Sequence, residues 1–147
     1  MKRSETRALI QSAVHALTQT IQFNSGRISE FSSEADKSYP YVWLEPLSVD
    51  TDLNQNQMPI DSWAILLHVA KLDSMDSLPV QYEAIVDECD FIAQKFIYKL
   101  NQVVDGYKLI TIESVNREPF IKAKSADCTS GVTVSFTLVS ADQTDVC

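Results

Sequence analysis

The chain has 147 residues, 45% of them hydrophobic and 22% charged, which suits one globular domain spanning 1–147 and is too apolar for a disordered chain. Its 12 basic and 20 acidic groups give a net charge of −8, a balance opposed to gripping nucleic-acid phosphates or an anionic membrane. Three widely spaced cysteines with no CxxC pair predict reduced thiols in a cytosolic setting rather than a disulfide framework or a zinc site.

Along the chain, residues 4–21 predict an amphipathic helix. Leu9, Ile10, Ala13, Val14, Leu17 and Ile21 recur at steps of three and four, Ser4 is the expected N-cap, and Asn24-Ser25-Gly26 the stop. The basic start, Met1-Lys2-Arg3, has no apolar core behind it, so no signal peptide is expected. The longest apolar run, Trp63 to Leu67, is far too short to span a bilayer. A polar loop is expected over 27–38. Residues 39–46, aromatic and bounded by prolines, predict a short strand. Alternation puts Tyr39, Tyr41 and Trp43 on one side of it, either in the core or on a contact surface, since Tyr and Trp are favoured interface anchors.

Residues 47–59 contain Asp50, Asp52 and the run Asn54-Gln55-Asn56-Gln57, and predict a long connection. The spacing Asp50-x-Asp52-x-Asn54, with Asp61 twelfth, echoes a calcium loop. Gln55 stands where the sharp-turn glycine belongs, and the flanks read as strands, so a solvated polar loop is expected. Residues 61–72 predict a central strand. Ala64, Leu66, His68 and Ala70 face one way, and Trp63, Ile65, Leu67 and Val69 the other. Both sides are apolar enough to need a cover, whether helices, another layer or another subunit.

After a turn, a second helix is expected over 78–104. Pro79 lies in its first turn, a continuous apolar stripe runs from Tyr82 to Val103, and Asp105-Gly106 ends it. Residues 73–105 carry −5 of the net −8, and Asp87 and Asp90 are one turn apart on that helix. These acids do not converge around a helix, so they predict a solvated or subunit-facing surface rather than a metal cluster. Strands follow over 107–115 and 131–139, with 120–123 a short strand or a bulged extension of the first, and 140–147 is a polar tail. The predicted fold is α+β, a mostly antiparallel sheet with two helices on one face, in the order α-β-β-α-β-β.

Chemistry is sparse. Gly26, Gly106 and Gly131 are isolated, so no phosphate-binding loop exists, and neither a GxSxG elbow nor an HExxH pair is present. His15 and His68 sit on different elements. Pairing one of them with Cys89 as base and nucleophile has no supporting motif. Neither a catalytic residue nor a cofactor or metal is expected.

The helix leading to the aromatic strand 39–46, the long connection to strand 63–72, the long helix 79–104 and the closing hairpin with Val132-Thr133-Val134-Ser135-Phe136-Thr137-Leu138 resemble the tail-terminator and head–tail neck proteins of tailed bacteriophages. The resemblance covers residues 4–139. It implies a virion protein, assembled in the host cytoplasm, whose copies close into a homo-oligomeric ring, often a hexamer. Such a ring caps the tail tube and meets tail-tube and connector proteins. DNA passes through its acidic lumen without adhering, and no membrane is involved. On this reading the candidate interface comprises Tyr39, Tyr41, Trp43, Asp50, Asp52, Asn54, Gln55, Asn56, Gln57, Asp87 and Asp90, with the 47–59 loop projecting toward the lumen or a neighbouring ring. The alternative is a small soluble protein- or peptide-binding adaptor of bacterial origin, gripping its ligand with the Tyr41/Trp43 side.

Overall fold

A computed structural model describes residues 1–17, 20–27, 30–31, 39–53, 59–105, 110–124 and 128–141. Among the described residues two long helices, α1 (Arg3–His15) and α2 (Pro79–Asp105), lie against six strands: β1 (Gln22–Ser25), β2 (Tyr41–Leu44), β3 (Ser48–Leu53), β4 (Pro59–Leu72), β5 (Ile110–Lys124) and β6 (Cys128–Ala141). The strands form one sheet in the order β1-β2-β4-β6-β5, and β3 pairs with the first half of β4. Among the described strands β1 and β2 run parallel, and the other pairings are antiparallel.

The expected α+β class and the two helices on one face are present. The element order, α-β-β-β-β-α-β-β, differs by two short strands. The first helix ends at His15 rather than near residue 21, and Gln22–Ser25 pairs with Tyr41–Leu44 instead of serving as a helix stop. Thr20 and Ile21 are β-branched, which weakens helix propagation, and sheet pairing wins. The helix also starts two residues earlier than an N-cap at Ser4 would allow. Lys2 occupies the N-cap, and its backbone N–H donates to the Glu5 carboxylate at 2.8 Å.

The second correction is β3. Half of the expected 47–59 loop is a strand, with Val49 opposite Trp63 and Thr51 opposite Asp61. Hairpin pairing satisfies backbone groups that a long loop would leave to water. Asn54, Gln55, Asn56 and Gln57 lie outside the described residues, as do Gly106 and residues 125–127 and 142–147. The segment 120–123 continues β5, with register shifts between Glu113 and Asn116 and between Phe120 and Ala123. Ser114 (φ 57°) and Lys122 (φ 53°) sit in these bulges, taking up the left-handed backbone that an extra residue requires.

The core fills the space between the helices and the sheet. From α1 come Leu9, Ile10, Ala13 and Val14; from α2 come Cys89, Ile92, Ala93, Phe96, Leu100 and Val104. They meet Val42 and Leu44, the Trp63-Ile65-Leu67-Val69 side of β4, and Val132, Val134, Phe136 and Leu138 of β6. Each fully buried aliphatic side chain contributes about 2 kcal/mol. The opposite side of β4 and β6 has only a partial cover. At one end Phe31, Tyr41 and Trp43 form a second cluster, with Tyr39 packed against it.

Candidate functional site

The aromatic residues resolve as packing. Tyr41 is fully buried and Trp43 is 3% exposed. The Phe31 ring meets Tyr41 edge-on at 5.1 Å and Trp43 at 5.4 Å, and Trp43 Nε1 donates to the Gly26 carbonyl at 3.0 Å. Tyr39 is half-buried against Tyr41, with centroids 6.3 Å apart. Of the two readings, core or contact surface, burial within the chain favours core packing for Tyr41 and Trp43. Phe31 packs over the Tyr41 and Trp43 rings, which leaves them little exposed surface.

Beside this cluster, the uncovered sheet face carries a polar line across three strands. His68 on β4 sits directly opposite Trp43 of β2 and Thr133 of β6. Its Nε2 lies 2.6 Å from Glu45 Oε2 and its Nδ1 2.9 Å from Thr133 Oγ1. Glu45 is held in place because its backbone N–H donates to the Leu66 carbonyl, adding one rung beyond β2. Phe120 meets the imidazole edge-on at 6.3 Å. On β5, Glu118 stands opposite Thr133 and accepts from Asn116 Nδ2 at 3.1 Å. A shallow cavity of about 430 Å³ opens alongside, lined by Glu45, Pro46, Leu66, Ser114, Ser135 and Thr137.

An acid, an imidazole and a hydroxyl in sequence have the composition of a nucleophilic relay. Acyl transfer also needs a pair of free N–H groups aimed at a developing oxyanion. Here the relay lies on central strands: β4 is paired with β2 and β6, and β6 with β4 and β5, so the neighbouring backbone donors are committed to the ladders. The trio ties β4 to β6 and to the residue that follows β2. Sequence reasoning missed it because its partners are 23 and 65 residues apart. Only the register of β2 and β6 on β4 brings them together.

Cys89 cannot join this group. It is fully buried beneath α2, on the side of the sheet away from His68, with its Sγ 3.9 Å from the Ser130 carbonyl. Burial, with a smaller contribution from Glu88, pushes the thiol up to about 12 against the pull of Lys71. His15 is exposed on α1. A thiol with that pKa is almost entirely protonated at mildly alkaline pH and is a poor nucleophile. Treatment of the native protein with iodoacetamide should modify half-buried Cys128 while Cys89 stays free until urea unfolds the chain; labelling of Cys89 at the Cys128 rate would contradict this placement.

The acidic residues divide by role. Asp50 and Asp52 are exposed on β3, with carboxylates on one face of the hairpin. Asp61 points to the other face and accepts from Thr51 Oγ1 at 2.7 Å, so the calcium-loop spacing does not converge. Asp90 pairs with Arg117 at 3.0 Å and accepts from Gln94 at 3.2 Å, while Asp87 stays exposed. Glu88 pairs with Lys71. Burial raises the Asp73 carboxyl, but hydrogen bonds from Ser130 Oγ and the Ser74 N–H, with the Lys122 cation, hold it below the usual value. Among the described residues no group of three or more His, Cys, Asp or Glu is placed to hold a metal ion, and no helix is long and apolar enough to cross a membrane.

A second concavity of about 430 Å³ lies where the start of α1 meets the ends of β1 and β2, lined by Arg3, Arg7, Ser25, Gly26 and Leu44. Arg3 is anchored there: its Nε donates to the Leu47 carbonyl at 3.3 Å, and its guanidinium lies 5.8 Å from the Trp63 ring centre. No protein-family model and no curated protein sequence matches the chain.

Proposed function

We propose that this chain is a non-enzymatic structural subunit of a tailed-phage virion. In this role it closes into a ring at the head–tail junction, ends the tail tube and joins it to the neck. Head-to-tail ring closure requires two different surfaces on opposite sides of one subunit. The observation that carries the reading is the sheet's two unlike borders. One is β5, a 15-residue strand whose only strand partner among the described residues is β6. The other ends in β1 and in the β3 edge of the β3–β4 hairpin, which bears Asp50, Asp52 and the 66%-exposed Leu53.

The bulges at Ser114 and Lys122, together with Pro119, break the free β5 edge into short stretches. Such interruptions suppress indiscriminate strand addition while leaving side chains for one specific neighbour. The carboxylates on β3 suit a surface that DNA passes without adhering. The competing adaptor reading loses its aromatic grip, because Tyr41 and Trp43 are inside.

Native mass spectrometry and negative-stain imaging of the purified chain, alone and with tail tubes, test the proposal. The expected result is a closed ring, six-membered on the family resemblance, that caps one end of the tubes. A strict monomer at high concentration that ignores the tubes overturns it.

A further inference from the structure

Helix α2 carries an outward stripe that its own protomer leaves uncovered. At 3.6 residues per turn, Val80, Ala84, Asp87, Phe91, Lys95 and Tyr98 share one face. Val80 is 79% exposed, Phe91 55% and Tyr98 63%. The charges along this face are ordered. Glu83 and Asp87 precede Phe91 by eight and four residues; Lys95 and Lys99 follow it by four and eight. Lys95 already leans over the Phe91 ring, at 4.4 Å. Among the described residues, no ion pair reaches Glu83, Asp87, Lys95 or Lys99, whereas Glu88 and Asp90 are neutralised within the protomer.

Within one helix this order is unfavourable. Both pairs, Glu83/Asp87 and Lys95/Lys99, are like charges at i,i+4, which repel. The helix dipole does not account for them: its influence is confined to the terminal turns, and α2 has no acid in its first turn and no base in its last. A second α2 running antiparallel does account for them. Centred on Phe91, it brings Asp87 level with the other copy's Lys95, Glu83 with Lys99, and the small Ala84 with the large Tyr98. The apolar stripe is covered and both repulsive pairs are neutralised at once.

We infer that the outer face of α2 is a self-complementary docking surface for a second copy of this chain, packed antiparallel about a two-fold axis at Phe91. Such an isologous contact is separate from head-to-tail ring closure and does not depend on it. In a ring-forming protein it joins two rings back to back; in a protein that forms no ring it makes a dimer.

Charge-reversal exchange with the full chain tests this inference. The E83K/D87K variant has an all-basic stripe and K95E/K99E an all-acidic one, so each repels its own copy. Glu83 and Asp87 are exposed, Lys95 and Lys99 are half-buried, and none of the four makes an ion pair among the described residues, so both variants should fold with the wild-type circular dichroism spectrum. By light scattering coupled to size exclusion at low salt, each variant alone should show half the wild-type particle mass. An equimolar mixture should recover the full mass, and high salt should dissociate that mixture. A wild-type mass that neither variant changes, or a mixture that fails to reassociate, overturns the inference. The outcomes separate this contact from the proposed ring: one ring insensitive to reversal leaves ring closure standing alone, and a reversal-sensitive dimer leaves the α2 contact standing alone.

Discussion

Replacing Gly131 with alanine should cost about 3 kcal/mol or more and lower Tm by on the order of 10 °C, the largest effect expected from adding a single methyl group. Gly131 lies in β6 opposite Ala70 of β4, in the middle of the sheet. A Cβ built there would sit 1.9 Å from the Val69 carbonyl oxygen and 3.0 Å from Phe120 Cζ. The obstacle is space, because the nearer atom is backbone in a paired strand and cannot turn aside. The strands must separate locally, and the His68–Thr133 contact lies two rungs away on the same face. Phe120, opposite on β5, lays its ring over the glycine and fills the place a side chain would take. Ser135→Ala, on the same strand and face, is the control and should cost less than about 1 kcal/mol. Urea unfolding of the two variants against the parent measures both; a Gly131→Ala midpoint close to the parent's would mean that β4 and β6 do not pair in this register.

Gly131 is also a measure of what the sequence makes legible. Alternation around Val132, Val134, Phe136 and Leu138 marks the strand and its buried face, but no local signal announces that the glycine faces a neighbour's carbonyl. The elements read correctly are those whose apolar period is long and regular: α2, the central strand β4 and the final strand β6. The missed ones lack that signal for identifiable reasons. In β3 only Val49 is partly buried, because the hairpin extends past the cover of the helices, so its period is carried by one residue. In β1, four residues with Phe23 as the lone large apolar side chain pair with a strand that comes 19 positions later. Leu17 and Ile21 stand four apart and prolong the helical pattern into this region, where sheet pairing overrides it.

The candidate site divides along the same line. That acids collect around the second helix is visible in composition, but their fates are set by partners on other elements: Lys71 on β4 takes Glu88 and Arg117 on β5 takes Asp90. Removing those two from the account exposes the ordered charges that remain on α2. The net −8 thus resolves into locally neutralised carboxylates, a β3 edge bearing Asp50 and Asp52, and a helix face with acid at one end and base at the other. The last two have the character of contact surfaces.

The aromatic strand gives the sharpest test of core against interface. Trp43→Ala should destabilise the isolated chain by about 3–5 kcal/mol, the range for removing a buried aromatic ring. The ring is 3% exposed, touches Phe31 and Tyr41, and donates to the Gly26 carbonyl. Trp43→Phe keeps most of the apolar volume but forfeits that hydrogen bond, and should cost about 1–2 kcal/mol. An interface residue behaves in the opposite way: its truncation leaves the monomer's stability intact and weakens assembly. Urea unfolding at a protein concentration low enough to dissolve any assembly separates the two, since association cannot then contribute to the midpoint. If Trp43→Ala unfolds at the parent's midpoint under those conditions, the ring is not packed beneath Phe31 and the aromatic strand regains its place as a contact surface. A loss in the stated range instead makes Phe31, Tyr41 and Trp43 a second core, one that closes the outer face of β2 and leaves partner contacts to β3, β5 and α2.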